Sequence, residues 1–194
     1  MKILKNRKAA IAITVIVLVL ATLFGVQKSL NALARDVESM FYDGVYIEAD
    51  GYTQPSIQSQ LDKCANQALD LATLLKGYPE LVGKAEEVLT ARRDLLDAQD
   101  PDGKSPPFNR MLAGFYDLVR AAQNEKLTER EMAAVSQYNT AFMGAAGLLG
   151  TLCGSYGEKV SEYWDGQSII ARMIGSVTGV TGPREFTIPG VLLG

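Results

Sequence analysis

The chain has 194 residues, 19 Lys and Arg against 22 Asp and Glu, and no histidine. Hydrophobic residues make 47% and charged residues 21%, the composition of a globular protein rather than a disordered one. The acidic balance excludes nucleic acid as an expected partner, and the missing histidine removes the commonest general base and the commonest metal ligand. Two cysteines, Cys64 and Cys153, are too few for a disulfide framework or a zinc site. No cofactor and no metal is expected.

Residues 1–8 form a basic tail holding Lys2, Lys5, Arg7 and Lys8. The first 26 residues contain no acid, so the remainder carries 15 basic against 22 acidic residues, a net −7. Residues 9–27, AAIAITVIVLVLATLFGVQ, run without a charge. At about 1.5 Å per residue this length of helix matches a hydrocarbon core of roughly 30 Å. Ala32-Leu33-Ala34 has the small-x-small pattern of a signal cleavage site. The apolar run is longer than a signal h-region of about 7–15 residues, however, and Ala34 lies well beyond its end, which favours an uncleaved anchor in the lipid bilayer. Four basic residues before the span, against Lys28 and Arg35 after it, put the N-terminus in the cytoplasm and the body outside.

Residues 28–177 read as a helical domain. Leu30, Leu33, Val37, Met40 and Phe41 continue the first helix as an amphipathic stripe. Asp43-Gly44 and Asp50-Gly51 bracket a break. A second helix starts near Pro55, with Ile57, Leu61, Cys64, Ala68, Leu71 and Leu75 inward, and Gly77-Tyr78-Pro79 ends it. A third runs from Glu80 to Ala98 on Leu81, Ala85, Val88, Leu89, Leu95 and Leu96. QDPDGKSPP, 99–107, reads as a loop, with Ser105 as N-cap of a fourth helix carrying Phe108, Met111, Leu112, Phe115, Leu118, Val119 and Ala122. Thr128 to Glu131, T-E-R-E, is a capping box that opens a fifth helix. With no useful β-alternation, the expected fold is all-α: an N-terminal transmembrane helix followed by an antiparallel four-helix-type bundle.

The fifth helix poses the main question. From Met132 to Gly157 there is no charged residue, and Gly144, Gly147, Gly150, Gly154 and Gly157 recur. Val135, Tyr138, Phe142, Leu149, Cys153, Tyr156, Val160 and Tyr163 keep helical phase through the glycines, on a different arc. The strongly apolar part, Ala141 to Cys153, is too short for a second span. A phosphate loop would need a preceding strand and a following Lys-Ser/Thr pair, which are absent. Five interior glycines cost a helix on the order of 4–5 kcal/mol. The expected compensation is close approach of a neighbouring backbone, within the bundle or from another subunit or partner chain. The glycines are therefore the candidate close-packing or interaction face.

After Asp165-Gly166, residues 168–176 read as a short helix presenting Ile169, Ile170, Met173 and Ile174. Residues 178–194, rich in Gly and Pro, read as an irregular tail. The order of segments resembles the LemA family, an N-terminal transmembrane helix followed by a helical bundle. SIQSQLDKCANQALDLATLLKGYPE (56–80) is similar to its long helix ending in K-G-Y. LTARRDLL (89–96) is similar to its Ala-Arg helix, YGEKVSEYW (156–164) to its Tyr-Asn helix, and GVTGPREF (179–186) to its closing segment. The chain diverges where paired arginines are replaced by Asp62-Lys63-Cys64, Asp-Leu-Ile-Pro-Asn by Ala68-Leu69-Asp70-Leu71-Ala72, and Tyr-Asn by Tyr156-Gly157. The resemblance implies topology and carries no catalytic residues.

The remaining candidates have plainer readings. Cys64 and Cys153 sit on apolar stripes as small hydrophobes, and a cysteine nucleophile would lack its usual histidine. Asp97, Asp100 and Asp102 suggest calcium, but Gly103 comes one step early and Met111 stands where the EF-hand Glu belongs. Trp164 and Tyr163 suit packing at a bundle end better than an interface anchor. The expected function is a membrane-anchored scaffold or binding module of the bacterial cell envelope, without catalysis. The rivals are an envelope hydrolase using carboxylates such as Asp94 and Asp97, and a two-span membrane protein. A protein partner or self-association is open.

Overall fold

A computed structural model describes residues 7–48 and 51–188. Lys2, Lys5, Asp50 and the end of the C-terminal tail lie outside the described residues. Among the described residues the chain is all-α apart from one small hairpin. In order the elements are α1 (Arg7–Tyr42), β1 (Val45–Ile47), β2 (Tyr52–Gln54), α2 (Ile57–Leu75), α3 (Val82–Asp97), α4 (Pro101–Ala122), α5 (Glu129–Asp165) and α6 (Ile169–Thr178). The chain forms two compact units. One unit comprises the chain up to Glu38 with Ser161–Pro183; the other comprises Ser39–Val160 and the chain from Arg184 onward.

In the first unit, α1 continues without a break past the uncharged run. Ile11, Ile13, Val15, Ile16, Val17, Leu18, Val19 and Leu20 are all exposed. Burial begins at Leu30 and recurs at Ala34 and Val37. These positions lie four and three apart, the spacing of one helix face. Leu33, expected on that face, points to solvent instead. Among the described residues α1 is the one helix long and apolar enough to cross a membrane. α6 is delimited by its own ends. Ser168 Oγ accepts from Ala171 N at its start, and Gly179, in the left-handed conformation at φ +72°, ends it.

The second unit is built on α2, α3, α4 and most of α5. Each contributes one fully buried stripe: Ile57, Leu61 and Leu71 from α2; Ala85, Val88 and Leu95 from α3; Phe108, Met111 and Phe115 from α4; Phe142, Leu149 and Tyr156 from α5. Phe115 stacks on Phe142 at 3.8 Å between ring centroids. Ser56 caps α2 by accepting from Ser59 N at 3.1 Å. The capping box of α5 forms as the sequence predicts: Glu131 accepts from Thr128 N at 2.9 Å, and Thr128 Oγ1 accepts from Glu131 N at 3.3 Å.

Two expectations are corrected. The break after α1 is a β-hairpin, Val45 opposite Gln54 and Ile47 opposite Tyr52. Its strands are too short to show alternation. Gly44 makes the entry turn at φ +86°, where a Cβ would collide with the Gln54 carbonyl. The larger correction concerns 99–107, which is not a loop: α4 begins at Pro101 and runs through Pro106 and Pro107. Pro101 occupies the first helical position, where a missing N–H costs nothing. Lys104 is buried and donates through Nζ to the Leu95 and Ala98 carbonyls, at 3.4 and 2.6 Å, closing the end of α3. Ser105 is no N-cap; its hydroxyl accepts from Thr187 N at 3.0 Å.

That last contact belongs to a chain segment that the sequence leaves as irregular tail. Residues 184–188 have no regular structure but are anchored. Phe186 is buried, with its ring 5.6 Å from Phe41 and 6.2 Å from Phe108. Tyr156 Oη donates to the Arg184 carbonyl at 2.8 Å. Truncating Phe186 to Ala empties a site shared by α1, α4 and the closing segment. Phe186→Ala is expected to lower the stability of the full-length protein in detergent by about 3–5 kcal/mol, read by chemical denaturation.

The capping box gives a pH dependence. The Thr128 hydroxyl, the Thr128 amide and the Tyr78 phenol hold the Glu131 carboxyl below its ordinary value of 4.5. A depressed folded-state value means that the contribution is present above 4.5 and is lost as pH falls through the folded value. Acid titration of thermal stability should show this loss in the native chain, and Glu131→Gln should remove that part of the slope.

Candidate functional site

Asp94 is bound by Arg110, Nη2 to Oδ2, at 2.7 Å. Asp100 and Asp102 both accept from Arg184 Nη1, at 2.6 and 3.3 Å. Two of the three acids that suggested calcium, Asp100 and Asp102, therefore engage a guanidinium from the closing segment, and Asp97 is not one of its partners. These hydrogen bonds and charges in turn raise the Arg184 pKa, which fixes its charge at any accessible pH. Among the described residues no three His, Cys, Asp or Glu side chains are grouped so as to hold a metal ion.

The thiols are free. Cys64 is fully buried, with Sγ 3.9 Å from the Phe142 carbonyl, and Cys153 is half-buried. Burial pushes both up to about 12, so each is a neutral thiol at physiological pH. A thiolate nucleophile is not available from either. Trp164 is 40% exposed, its ring edge-to-face with buried Tyr163 at 5.2 Å.

A concavity with converging charge lies between α3 and α4, about 550 Å³, lined among others by Glu86, Glu87, Thr90, Arg110, Gly114 and Asp117. Three of its four charged side chains are engaged around the rim. Glu86 pairs with Lys76 at 2.6 Å, Arg110 with Asp94, and Asp117 with Arg120 at 2.6 Å. It is an exposed, ion-paired groove, and pairs of this kind contribute little individually.

The glycines of α5 lie differently from expectation. A methyl group added at Gly144, Gly147, Gly154 or Gly157 would meet nothing within 4 Å. Among the described residues no neighbouring backbone lies that close to them, so the expected intramolecular close approach is not seen at these four positions. Gly150 is half-buried. The close approach occurs instead on α4, at Gly114, where an added methyl would sit 3.1 Å from Val88 Cγ2 of α3. Gly114 gives no periodic signal of its own, being a single glycine in a strong stripe. Its place between Leu112 and Phe115, in the middle of an amphipathic helix, was the available signal. Exposed Met143 and Leu148 flank the open glycines, so the α5 face is accessible, small and mildly apolar.

No protein-family model and no curated protein matches this chain.

Open space and tight contact predict opposite signs. Gly147→Ala should raise stability by up to about 1 kcal/mol, the propensity gain of removing an interior glycine. Gly114→Leu should lower it by about 1–3 kcal/mol through overpacking. Chemical denaturation of both variants checks this. A destabilising Gly147→Ala would mean that the face is covered by a second chain.

Proposed function

We propose that this protein is a membrane-anchored helical scaffold or binding module of the bacterial cell envelope, LemA-like and without catalysis. The observation that carries the reading is the bare apolar surface of α1 between Ile11 and Leu20. Eight large aliphatic side chains left in water cost on the order of 10 kcal/mol, comparable to the whole stability of a domain. A bilayer removes that cost. The span is residues 9–27, and the basic tail before it is held in the cytoplasm with the body outside.

A binding role is supported by how the polar groups are used. The candidate carboxylates Asp94, Asp100 and Asp102 are engaged with arginines, and the thiols are neutral. The α5 face around Gly144, Gly147, Gly154 and Gly157 is open, and it is the surface offered to a protein partner or to a second copy. The ordered resemblance to the LemA family supports the same arrangement of anchor and body.

Full-length protein is expected to stay with membranes through alkaline extraction, and protease added to intact spheroplasts should digest the body. Release of the intact chain at alkaline pH would overturn the anchor; digestion only after lysis would reverse the orientation.

A further inference from the structure

α6 has a second bare apolar surface. Ile169, Ile170, Met173 and Val177 are 79, 70, 64 and 81% exposed. At about 100° per residue they share one arc, and buried Gly175 lies on the opposite side. The helix is therefore amphipathic in reverse, with its small residue inward and its large apolar residues outward.

Its position is fixed by α1. Gln27 Nε2 donates to the Thr178 carbonyl at 3.2 Å. One turn further on, Leu30 Cδ1 lies against Gly175, where an added methyl would meet it at 3.3 Å. Gln27 is the last residue of the uncharged run. The C-terminal turn of α6 is thus tied to α1 at the level where the span ends. Ten residues give about 15 Å of helix, half of what crosses a bilayer. The only charge on α6 is Arg172, whose guanidinium donates to the Trp164 carbonyl. Exposed Trp164 stands beside it, a residue type enriched at headgroup level.

We propose that α6 is a second membrane contact, lying in the headgroup boundary of the bilayer that α1 spans, with Ile169, Ile170, Met173 and Val177 in the lipid. Continuity with the end of the span selects lipid as the occupant. A face of four large apolar side chains held at that depth meets the bilayer without any further association step. The inference rests on the reading of α1 as a span, and the test separates the two.

Full-length Met173→Cys is spin-labelled and reconstituted into vesicles of phosphatidylcholine and phosphatidylglycerol. Buried Cys64 and half-buried Cys153, neutral at labelling pH, leave the exposed thiol as the reactive one. Leu18→Cys gives the lipid reference and exposed Arg130→Cys the aqueous one. Collision with oxygen and with a water-soluble nickel chelate is measured at all three. The expected result is high oxygen and low nickel accessibility at 173, shifted from the Arg130 label toward the Leu18 label. An aqueous signature at 173 with a lipid signature at 18 overturns the α6 proposal and leaves the span intact. Shielding of 173 from both reagents also overturns it, because a protein then covers α6. An aqueous signature at 18 removes the span and the α6 proposal with it.

Discussion

The uncovered apolar surface of α1 is the constraint that organises this protein. Most of its nineteen consecutive uncharged residues have no covering surface among the described residues of their own unit. The backbone is ready for an apolar environment, because a helix satisfies its polar groups internally. The hydroxyls are ready as well. Thr14 Oγ1 donates to the Ala10 carbonyl at 3.0 Å and Thr22 Oγ1 to the Leu18 carbonyl at 2.9 Å. No polar group of these two threonines asks for water. The same chemistry continues just past the span, where the first buried residue of α1, Leu30, meets the turn of α6 that also binds Gln27.

The other unit has a different logic, in which a short irregular segment closes a helical core. Arg184 and Phe186 stand two residues apart and act in opposite media. The guanidinium gathers the two acids at the start of α4, at the surface, while the phenyl ring enters the aromatic cluster of Phe41 and Phe108. Between them the backbone is held by Tyr156 through the Arg184 carbonyl. Lys104 complements this from inside. Its ammonium answers the carbonyls that α3 leaves unpaired at its C-terminus, where the helix dipole favours a cation. Burial lowers its pKa, and the Asp62 charge works in the other direction.

What could be read in advance follows from the range of the forces involved. The long apolar helix α1, most positions of the apolar stripes and the Thr128–Glu131 box are local patterns, and the structure shows them; Leu33 and Leu96, expected inward, are exposed. The start of α4 was missed because Gly103, Ser105 and two prolines outweighed Asp100-Pro101, itself a helix-start signal. What makes that stretch helical is non-local: Lys104 reaching back to α3 and Ser105 bonded to Thr187. The role of Arg184 was hidden for the same reason, since 82 and 84 residues separate it from its acids. The glycines of α5 were legible as a helix arc but not as an open one. Periodicity gives the side of a helix, and only the fold says whether anything lies against it.

The central claim is that lipid, not protein, covers residues 9–27. A diazirine probe that partitions into the acyl-chain region and forms a carbene on illumination tests this directly in native membranes. The account predicts that label is recovered in the peptide covering 9–27 and is missing from Met132–Gly157. Label absent from 9–27 would contradict it, and label throughout Met132–Gly157 would make α5 a second span.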